Sequence, residues 1–220
     1  MKNQWYNITK RKVPIMKVDT LPLGNLQTNC YFLISDKTNA AVIIDPADQG
    51  DIIINKIKNQ QLNIKYIILT HAHFDHTGAL DMVKEFTGAP VVIHSEENVA
   101  LSDERLNLAY AFGSSCQKTK ADIHVNHNDT LPFSDTVLTF LHTPGHTKGS
   151  MCIKTDNILF SGDTLFYMSM GRVDFPGGDI REMSESLSSL MNLDKDTVVY
   201  PGHGDKTTIG YEKRNNPYIR

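Results

Sequence analysis

Short apolar runs separated by polar turns recur along most of the chain. Continuously apolar segments of this length are typical of buried strands. Residues 30–34 and 41–44 flank a polar turn at 36–39 and therefore predict a β-hairpin. Residues 151–153 and 157–160 predict a second hairpin. Further strands are expected at 66–69, 91–93, 121–125, 129–133, 136–141 and 197–200.

Other stretches place apolar residues at helical spacing. Helices are predicted at about 50–61, from Leu80 to Gly88, and at about 180–191. Ser95 is followed by Glu96 and Glu97, which is the pattern of a capped helix start. A further helix is therefore expected within 97–120, followed by a loop around Gly113.

Strands that alternate with helices favour an α/β fold. No Ser/Gly/Pro-rich linker divides residues 16–220, which are expected to form one domain. Residues 1–15 differ from the rest of the chain, with several basic residues and no long apolar run. They are interpreted as an N-terminal extension.

Composition and charge exclude several classes of protein. The chain has 220 residues, 40% hydrophobic and 21% charged, which is typical of a globular domain and not of a disordered chain. A net charge of −3 gives no basic footprint for nucleic acid. No apolar run reaches the roughly 20 residues of a membrane-spanning helix, and the apolar stretch of a secretory signal is missing. The three cysteines are far apart and odd in number, so a cytoplasmic location is expected.

The candidate chemistry is concentrated in the histidines. The segment 70–76, Thr-His-Ala-His-Phe-Asp-His, follows a predicted buried strand and precedes a predicted helix. Imidazole and carboxylate groups are good ligands for zinc, iron or manganese. A single histidine in a loop is usually structural, but nine histidines rarely cluster in this way by chance. The segment therefore predicts a metal site.

Two more histidines and an aspartate follow predicted strands in the same manner. A Pro-Gly pair precedes both His146 and His203, and Gly162 precedes Asp163. Glycine permits backbone conformations closed to other residues, and proline ends a strand. Each position alone is better explained as structural, but together with 70–76 they predict one site. The remaining histidines show no such pattern and are expected to be structural or exposed: His94, His124, His127 and His142.

The motif His-x-His-x-Asp-His, followed in order by His146, Asp163 and His203, resembles the signature of the metallo-β-lactamase-fold hydrolases. The resemblance spans about Val18 to Arg214. It implies a four-layer αββα sandwich of two mixed β-sheets, with the site at one edge. It also implies two zinc ions per chain, with iron or a zinc/iron mixture as alternatives.

The resemblance also assigns roles residue by residue. The implied ligands are His71, His73 and His146 for one metal, Asp75, His76 and His203 for the second, and Asp163 as a bridge between them. Asp75 and Asp163 are then also the catalytic carboxylates, acting with a bridging hydroxide. Two cations that share one water lower its pKa toward neutrality, so no side-chain nucleophile is needed. Asp45, which ends a predicted strand, would orient a ligand imidazole without binding the metal.

Within this family the chain is similar to the short, single-domain glyoxalase II (hydroxyacylglutathione hydrolase)-like group. The segments that carry the similarity are 23–31, 170–179 and 212–218. The similarity implies hydrolysis of a small-molecule acyl-thiol thioester. Full-length glyoxalase II adds a helical domain that holds glutathione, and the residues after His203 are too few to build it, so the thiol carrier stays open.

Arg172 lies where relatives place a cation that binds the thiol part of the substrate. Its guanidinium could hold a substrate carboxylate in a forked contact. The alternative is an ion pair with Asp174 or Asp179.

Other activities of the same fold stay open. A persulfide dioxygenase with a single iron would use His71, His146 and Asp163, all of which are present. A lactonase would share the metal ligands. The β-lactamase subclass closest in motif carries Cys at the position of Asp163, which disfavours that activity. A purely structural zinc site is disfavoured because it needs about four ligands, typically Cys or His.

Overall fold

Two mixed β-sheets lie face to face in the middle of the molecule. The computed structural model describes residues 16–219, so the extension predicted at 1–15 lies outside the described residues. The first sheet contains, in both chain order and spatial order, β1 (Met16–Leu23), β2 (Thr28–Ser35), β3 (Ala40–Ile44), β4 (Asn63–Ile68), β5 (Val91–His94) and β6 (Ile123–Val125). Strands β1 to β3 pair antiparallel, and β3 to β6 pair parallel.

The second sheet is built from later strands of the chain. These strands, together with the small hairpin β11–β12, are β7 (Thr130–Phe133), β8 (Thr136–His142), β9 (Met151–Thr155), β10 (Ile158–Gly162), β11 (Leu165–Phe166), β12 (Ser169–Met170), β13 (Val198–Pro201) and β14 (Thr207–Thr208). The spatial order in the sheet is β14-β13-β10-β9-β8-β7, in which β10 and β13 pair parallel and the other neighbours pair antiparallel.

Helices cover the outer face of each sheet. They are α1 (Gly50–Gln60), α2 (Phe74–Thr77), α3 (Leu80–Thr87), α4 (Ala109–Phe112), α5 (Ile180–Leu190) and α6 (Ile209–Asn215). Helices α1 and α3 pack on the first sheet, and α5 and α6 pack on the second. Within residues 16–219, no helix has the length and apolar character needed to cross a bilayer.

The central strands β2, β3 and β10 are largely apolar because both of their faces are covered. In β2, Phe32 packs toward the helices, while Leu33 packs toward the opposite sheet. In β10, Phe160 faces the space between the sheets, and Leu159 faces the helices on the other side. Three apolar layers therefore separate four layers of secondary structure. This arrangement confirms the αββα sandwich of two mixed sheets.

Most of the predicted elements are present. Both hairpins form, since β2 pairs with β3 and β9 with β10. The helix predicted from Leu80 ends as expected at Gly88, whose left-handed φ of 65° closes the last turn. The helices predicted at about 50–61 and 180–191 correspond to α1 and α5.

The prediction of a helix after Ser95 is wrong. Residues Ser95–Glu97 and Ala100–Ser102 are single 3₁₀ turns, and α4 has only four residues. The imidazole of His94 caps the first of these turns by accepting a hydrogen bond from the Glu96 N–H. The physical reason is Glu97, whose carboxylate is buried against other loops and does not face solvent in a first helical turn.

Candidate metal centre

The candidate site lies in four loops, each of which directly follows a strand. The loops follow β4, β8, β10 and β13, and they carry, in that order, the segment 71–76, His146, Asp163 and His203. Strand β4 belongs to the first sheet and the other three belong to the second. The structure therefore brings all seven predicted ligand side chains to one edge of the sandwich, where the two sheets meet.

Three histidines form the first group of possible ligands. His73 Nδ1 lies 3.0 Å from His71 Nε2 and 3.0 Å from His146 Nε2. All three side chains are buried, and their nitrogens face one another. Neutral imidazole nitrogens that converge in this way suit a shared transition-metal ion.

The second group combines a carboxylate with two histidines. Asp75 Oδ2 lies 3.3 Å from His203 Nε2 and 3.6 Å from His76 Nε2. Asp163 faces both groups. Its Oδ1 is 3.4 Å from His76 Nε2, and its Oδ2 is 3.5 Å from His146 Nε2. Asp163 is thus placed between the two groups, where a bridging ligand would have to lie.

Three side-chain atoms of the predicted ligand residues are left without partners by the protein itself. Within the described part of the chain, His73 Nε2, His76 Nε2 and Asp163 Oδ1 are buried and have no hydrogen-bond partner. Buried polar atoms nearly always have one. Gly202 leaves room here, because a Cβ at this position would lie 2.1 Å from Asp163 Oδ1. His76 Nε2 and Asp163 Oδ1 lie 3.4 Å apart without a hydrogen bond, and a cation bound between them would take an electron pair from each. The residues present are therefore compatible with the metals that the motif implies.

The protonation states of His71, His73 and Asp163 suit metal binding. Burial lowers the pKa of His71 well below its ordinary value and that of His73 to about 3. Burial acts to raise the pKa of Asp163, but the positive charge of His76 outweighs it and brings the pKa to about 2. For His76, burial is outweighed by the charges of Asp75 and Asp163, which raise its pKa. The neutral imidazoles of His71 and His73 and the ionised carboxylate of Asp163 are forms that ligate metals, whereas His76 would have to release its proton when a metal binds.

Asp45, which the sequence predicts to orient a ligand imidazole, lies behind His76. One of its oxygens accepts a hydrogen bond from the Thr70 N–H at 2.7 Å. The other accepts from the Thr70 hydroxyl at 2.7 Å and lies 2.8 Å from His76 Nδ1. Its φ of 52° is uncommon for a residue other than glycine. These bonds orient the imidazole so that Nε2 faces the carboxylates, which is the geometry expected of a carboxylate that positions a metal-binding histidine.

Comparison with known proteins decides the family. Residues 23–203 match the model of the Metallo-beta-lactamase superfamily. The chain belongs to this superfamily. A protein named hydroxyacylglutathione hydrolase GloC, from Haemophilus influenzae, is 34% identical over 93% of this chain and 98% of its own length. The membership confirms the family predicted from the motif, while the glyoxalase II-like group stays a prediction.

Solved structures of the superfamily have the same fold. The structure of BLEG-1, named a B3 metallo-beta-lactamase, is 37% identical with a TM-score of 0.88, covering 92% of this chain and 99% of that one. TTHA1623, solved in a di-iron-bound form, is 34% identical with a TM-score of 0.80, covering 94% and 100%. The chain is therefore a metallo-hydrolase-type protein with a candidate His/Asp metal site.

Glu97 is a residue of the site that the sequence did not predict. Its Oε1 accepts a hydrogen bond from the Ala72 N–H at 3.0 Å, between two of the ligand histidines. Its Oε2 accepts from the Thr147 hydroxyl and from the Gly149 N–H, both at 2.9 Å. The carboxylate thus ties the 71–76 loop to the loop that carries His146. In the sequence it is indistinguishable from an acidic residue at a helix start.

The segment at the start of β2 holds the His203 turn. Thr28 donates to Asp75 Oδ2 at 2.7 Å. The Asn29 side chain and the Tyr31 hydroxyl both donate to the Pro201 carbonyl, at 3.0 and 2.6 Å. The sequence indicated this segment by family resemblance alone, and these bonds give it a physical role in the superfamily fold.

Arg172 lies on the wall of the site, but its guanidinium is already paired. It donates to both carboxylate oxygens of Asp174, at 2.8 and 2.7 Å, and lies 3.9 Å from the centre of the Phe175 ring. Asp179, the other partner considered, caps α5 instead. A role for Arg172 in holding a substrate carboxylate stays a prediction. Of the histidines expected to be structural, His94 and His142 stack on each other at 4.0 Å.

Proposed function

We propose that this member of the metallo-β-lactamase superfamily is a dinuclear metal-dependent hydrolase that cleaves small acyl-thiol thioesters. The observation that carries the proposal is the position of Asp163, which faces the His71–His73–His146 group and the Asp75–His76–His203 group together. Two zinc ions, or iron in their place, would be held by these residues. The resemblance to a protein named hydroxyacylglutathione hydrolase supports the thioester substrate.

When bound, the metal ions supply Lewis acidity that polarises the thioester carbonyl and lowers the pKa of water. In the reaction, water oxygen bonds to the acyl carbon, the C–S bond breaks, and a carboxylic acid and a thiol are released. A thiol has a pKa of about 8.5, so its thiolate leaves without a strong proton donor. This chemistry suits a site whose carboxylates, Asp75 and Asp163, are held ionised.

The chain's own residues keep the site in order. Asp45 fixes the ring of His76, and Thr28 fixes the carboxylate of Asp75. A cavity of about 520 Å³ adjoins His73, Asp163 and His203 and gives a small substrate access to them.

A single-iron persulfide dioxygenase is the second candidate, because it would need only His71, His146 and Asp163. The convergence of Asp75, His76 and His203 into a further group favours two metals instead. A β-lactam is a third substrate to test, because a structure named as a B3 metallo-beta-lactamase is 37% identical to this chain.

The proposal is tested with a substrate panel on protein loaded with zinc and, separately, with iron. The panel contains S-lactoylglutathione, an uncharged acetyl thioester, a lactone, a β-lactam, and glutathione persulfide with oxygen uptake as the readout. We expect the thioesters to give the highest kcat/KM and to release thiol and acid in equal amounts. If the lactone or the β-lactam is hydrolysed and the thioesters are not, thioesters are the wrong substrate class and the proposal fails. Oxygen uptake by the iron form, without thioester cleavage, would favour the dioxygenase.

A further inference from the structure

The cavity beside the metal centre has a largely apolar wall. Its aromatic and aliphatic lining includes Leu26, Phe74, Phe112, Phe166, Met170 and Phe175. The remaining lining is mostly the ligand side chains themselves. Ligand cavities usually combine an apolar wall with a few polar groups that fix orientation, and here the metal site supplies most of those polar groups.

The apolar wall reaches the metal ligands and is open to solvent. Phe175 packs edge-on against His73, and Phe166 packs edge-on against His203, with ring centres 5.9 and 6.1 Å apart. Phe112 stacks on Phe74 at 4.7 Å and is still 54% exposed. Apolar side chains exposed inside a concave site commonly mark a surface that a ligand covers.

The cavity offers little to an anionic substrate. Among the described residues that line it, Arg172 is the only lysine or arginine. Its guanidinium is held by both oxygens of Asp174 and stacks on Phe175. A carboxylate entering the cavity would meet a guanidinium whose charge is already balanced by Asp174, whereas an apolar group would be desolvated against the aromatic wall.

On the basis of the proposed function, we infer that the preferred substrates are thioesters without carboxylate groups that place an aromatic or branched apolar group in this cavity. Phe112 is the specificity-determining residue. It lies on the short helix α4 and forms the exposed half of the aromatic stack that faces the cavity. A thiol carrier with two carboxylates, such as glutathione, is disfavoured.

The test compares three thioesters: the phenylacetyl and acetyl thioesters of N-acetylcysteamine, and the phenylacetyl thioester of glutathione. We expect kcat/KM for the first to exceed that for each of the others by about tenfold or more, the range in which apolar pockets discriminate. A preference for the glutathione ester, or equal rates for acetyl and phenylacetyl, would overturn the inference.

Two variants on the same helix sharpen the test. Phe112→Ala should lower kcat/KM for the uncharged phenylacetyl ester by about tenfold, and that for the acetyl ester by a much smaller factor. Tyr110→Ala is the matched control, because Tyr110 is 72% exposed on α4 and does not line the cavity. Equal effects of the two variants would remove the role of Phe112.

A binding measurement separates this inference from the proposed function. Calorimetric titration of the metal-loaded protein with S-benzyl-N-acetylcysteamine and with S-benzylglutathione needs no turnover. We expect the uncharged thioether to bind about tenfold more tightly, and Phe112→Ala to abolish the difference. If no thioester is cleaved but this preference holds, the proposed function fails and the inference stands. Tighter binding of S-benzylglutathione would overturn the inference even if thioesters are cleaved.

Discussion

At the scale of single residues, three buried carboxylates hold the site's loops without belonging to the predicted ligands. Asp45 accepts three hydrogen bonds behind His76, and Glu97 joins two ligand loops. Glu212 accepts from the Thr207 hydroxyl and the Met168 N–H, and so fixes the β11–β12 hairpin that carries Phe166. A buried carboxylate is tolerated only when it is fully hydrogen-bonded, so each of these three positions requires a carboxylate with all of its hydrogen-bond partners in place.

Glu97→Gln tests whether this carboxylate positions the ligand loops. The amide keeps the shape but places an N–H₂ group against donors, so the loops should separate slightly. We expect metal affinity to fall by about tenfold or more, as for other groups that orient metal ligands. Competition with a chromophoric chelator measures the affinity. Glu96→Gln is the control because its side chain is exposed, and an equal effect of both variants would contradict the role of Glu97.

Asp174→Asn tests the role predicted for Arg172. Removal of the paired carboxylate frees the guanidinium, so kcat/KM for an anionic thioester should rise by about two- to fivefold, the modest effect of an exposed charge. The rate for an uncharged thioester should not change. Arg172→Ala is assayed in parallel as the control, and its kcat/KM for the anionic thioester should not rise. No change with either ester in Asp174→Asn would remove Arg172 from substrate binding.

At the scale of elements, the sequence predicts those strands and helices whose residue types are determined by burial. Strands β2, β3 and β10 are covered on both faces and are therefore largely apolar, and the sequence shows this directly. The region after β5 could not be predicted, because Glu97 is held there by contacts with loops distant in the chain. Strands β11 and β12 have two residues each, which is too short for any periodic pattern.

The turn after β13 depends on Gly202 at its close approach to the site. Because a Cβ there would meet Asp163 Oδ1 at 2.1 Å and His76 at 2.8 Å, Gly202→Ala should displace both side chains. We expect loss of at least one bound metal with the fold retained, measured by metal content and circular dichroism. Gly204→Ala is the control, because a Cβ at that position would have no atom within 4 Å and only its φ of 75° is strained. Unchanged metal content in Gly202→Ala would contradict the crowding argument.

At the scale of the whole molecule, the sandwich brings loops from two sheets to one edge. The sequence predicted the candidate ligand residues by type and spacing, and membership of the superfamily is confirmed by the match over 23–203. What it could not give is the character of the cavity, since Phe74, Phe112, Phe166 and Phe175 come from separate loops and elements. Their contact depends on how these segments pack, which no local pattern records.

Metal removal should destabilise the whole fold. Ions that bind the folded state at about 1,000 times their Kd contribute about 4 kcal/mol to the free energy of unfolding. For a chain of this size, each kcal/mol shifts Tm by about 2–4 °C. We therefore expect chelation to lower Tm by roughly 10 °C, measured by differential scanning calorimetry with zinc add-back as the control. An unchanged Tm after complete metal removal would show that the ligand loops are held by the protein alone.

The most direct test of the account is the number of metal ions per chain, measured by elemental analysis on protein purified without added metal or chelator. Because Asp163 faces both groups of predicted ligands, we expect close to two zinc or iron ions per chain. In Asp163→Ala we expect fewer metal ions per chain and no thioester turnover. A single metal ion in the wild-type protein, or full metal and normal activity in Asp163→Ala, would contradict the dinuclear site.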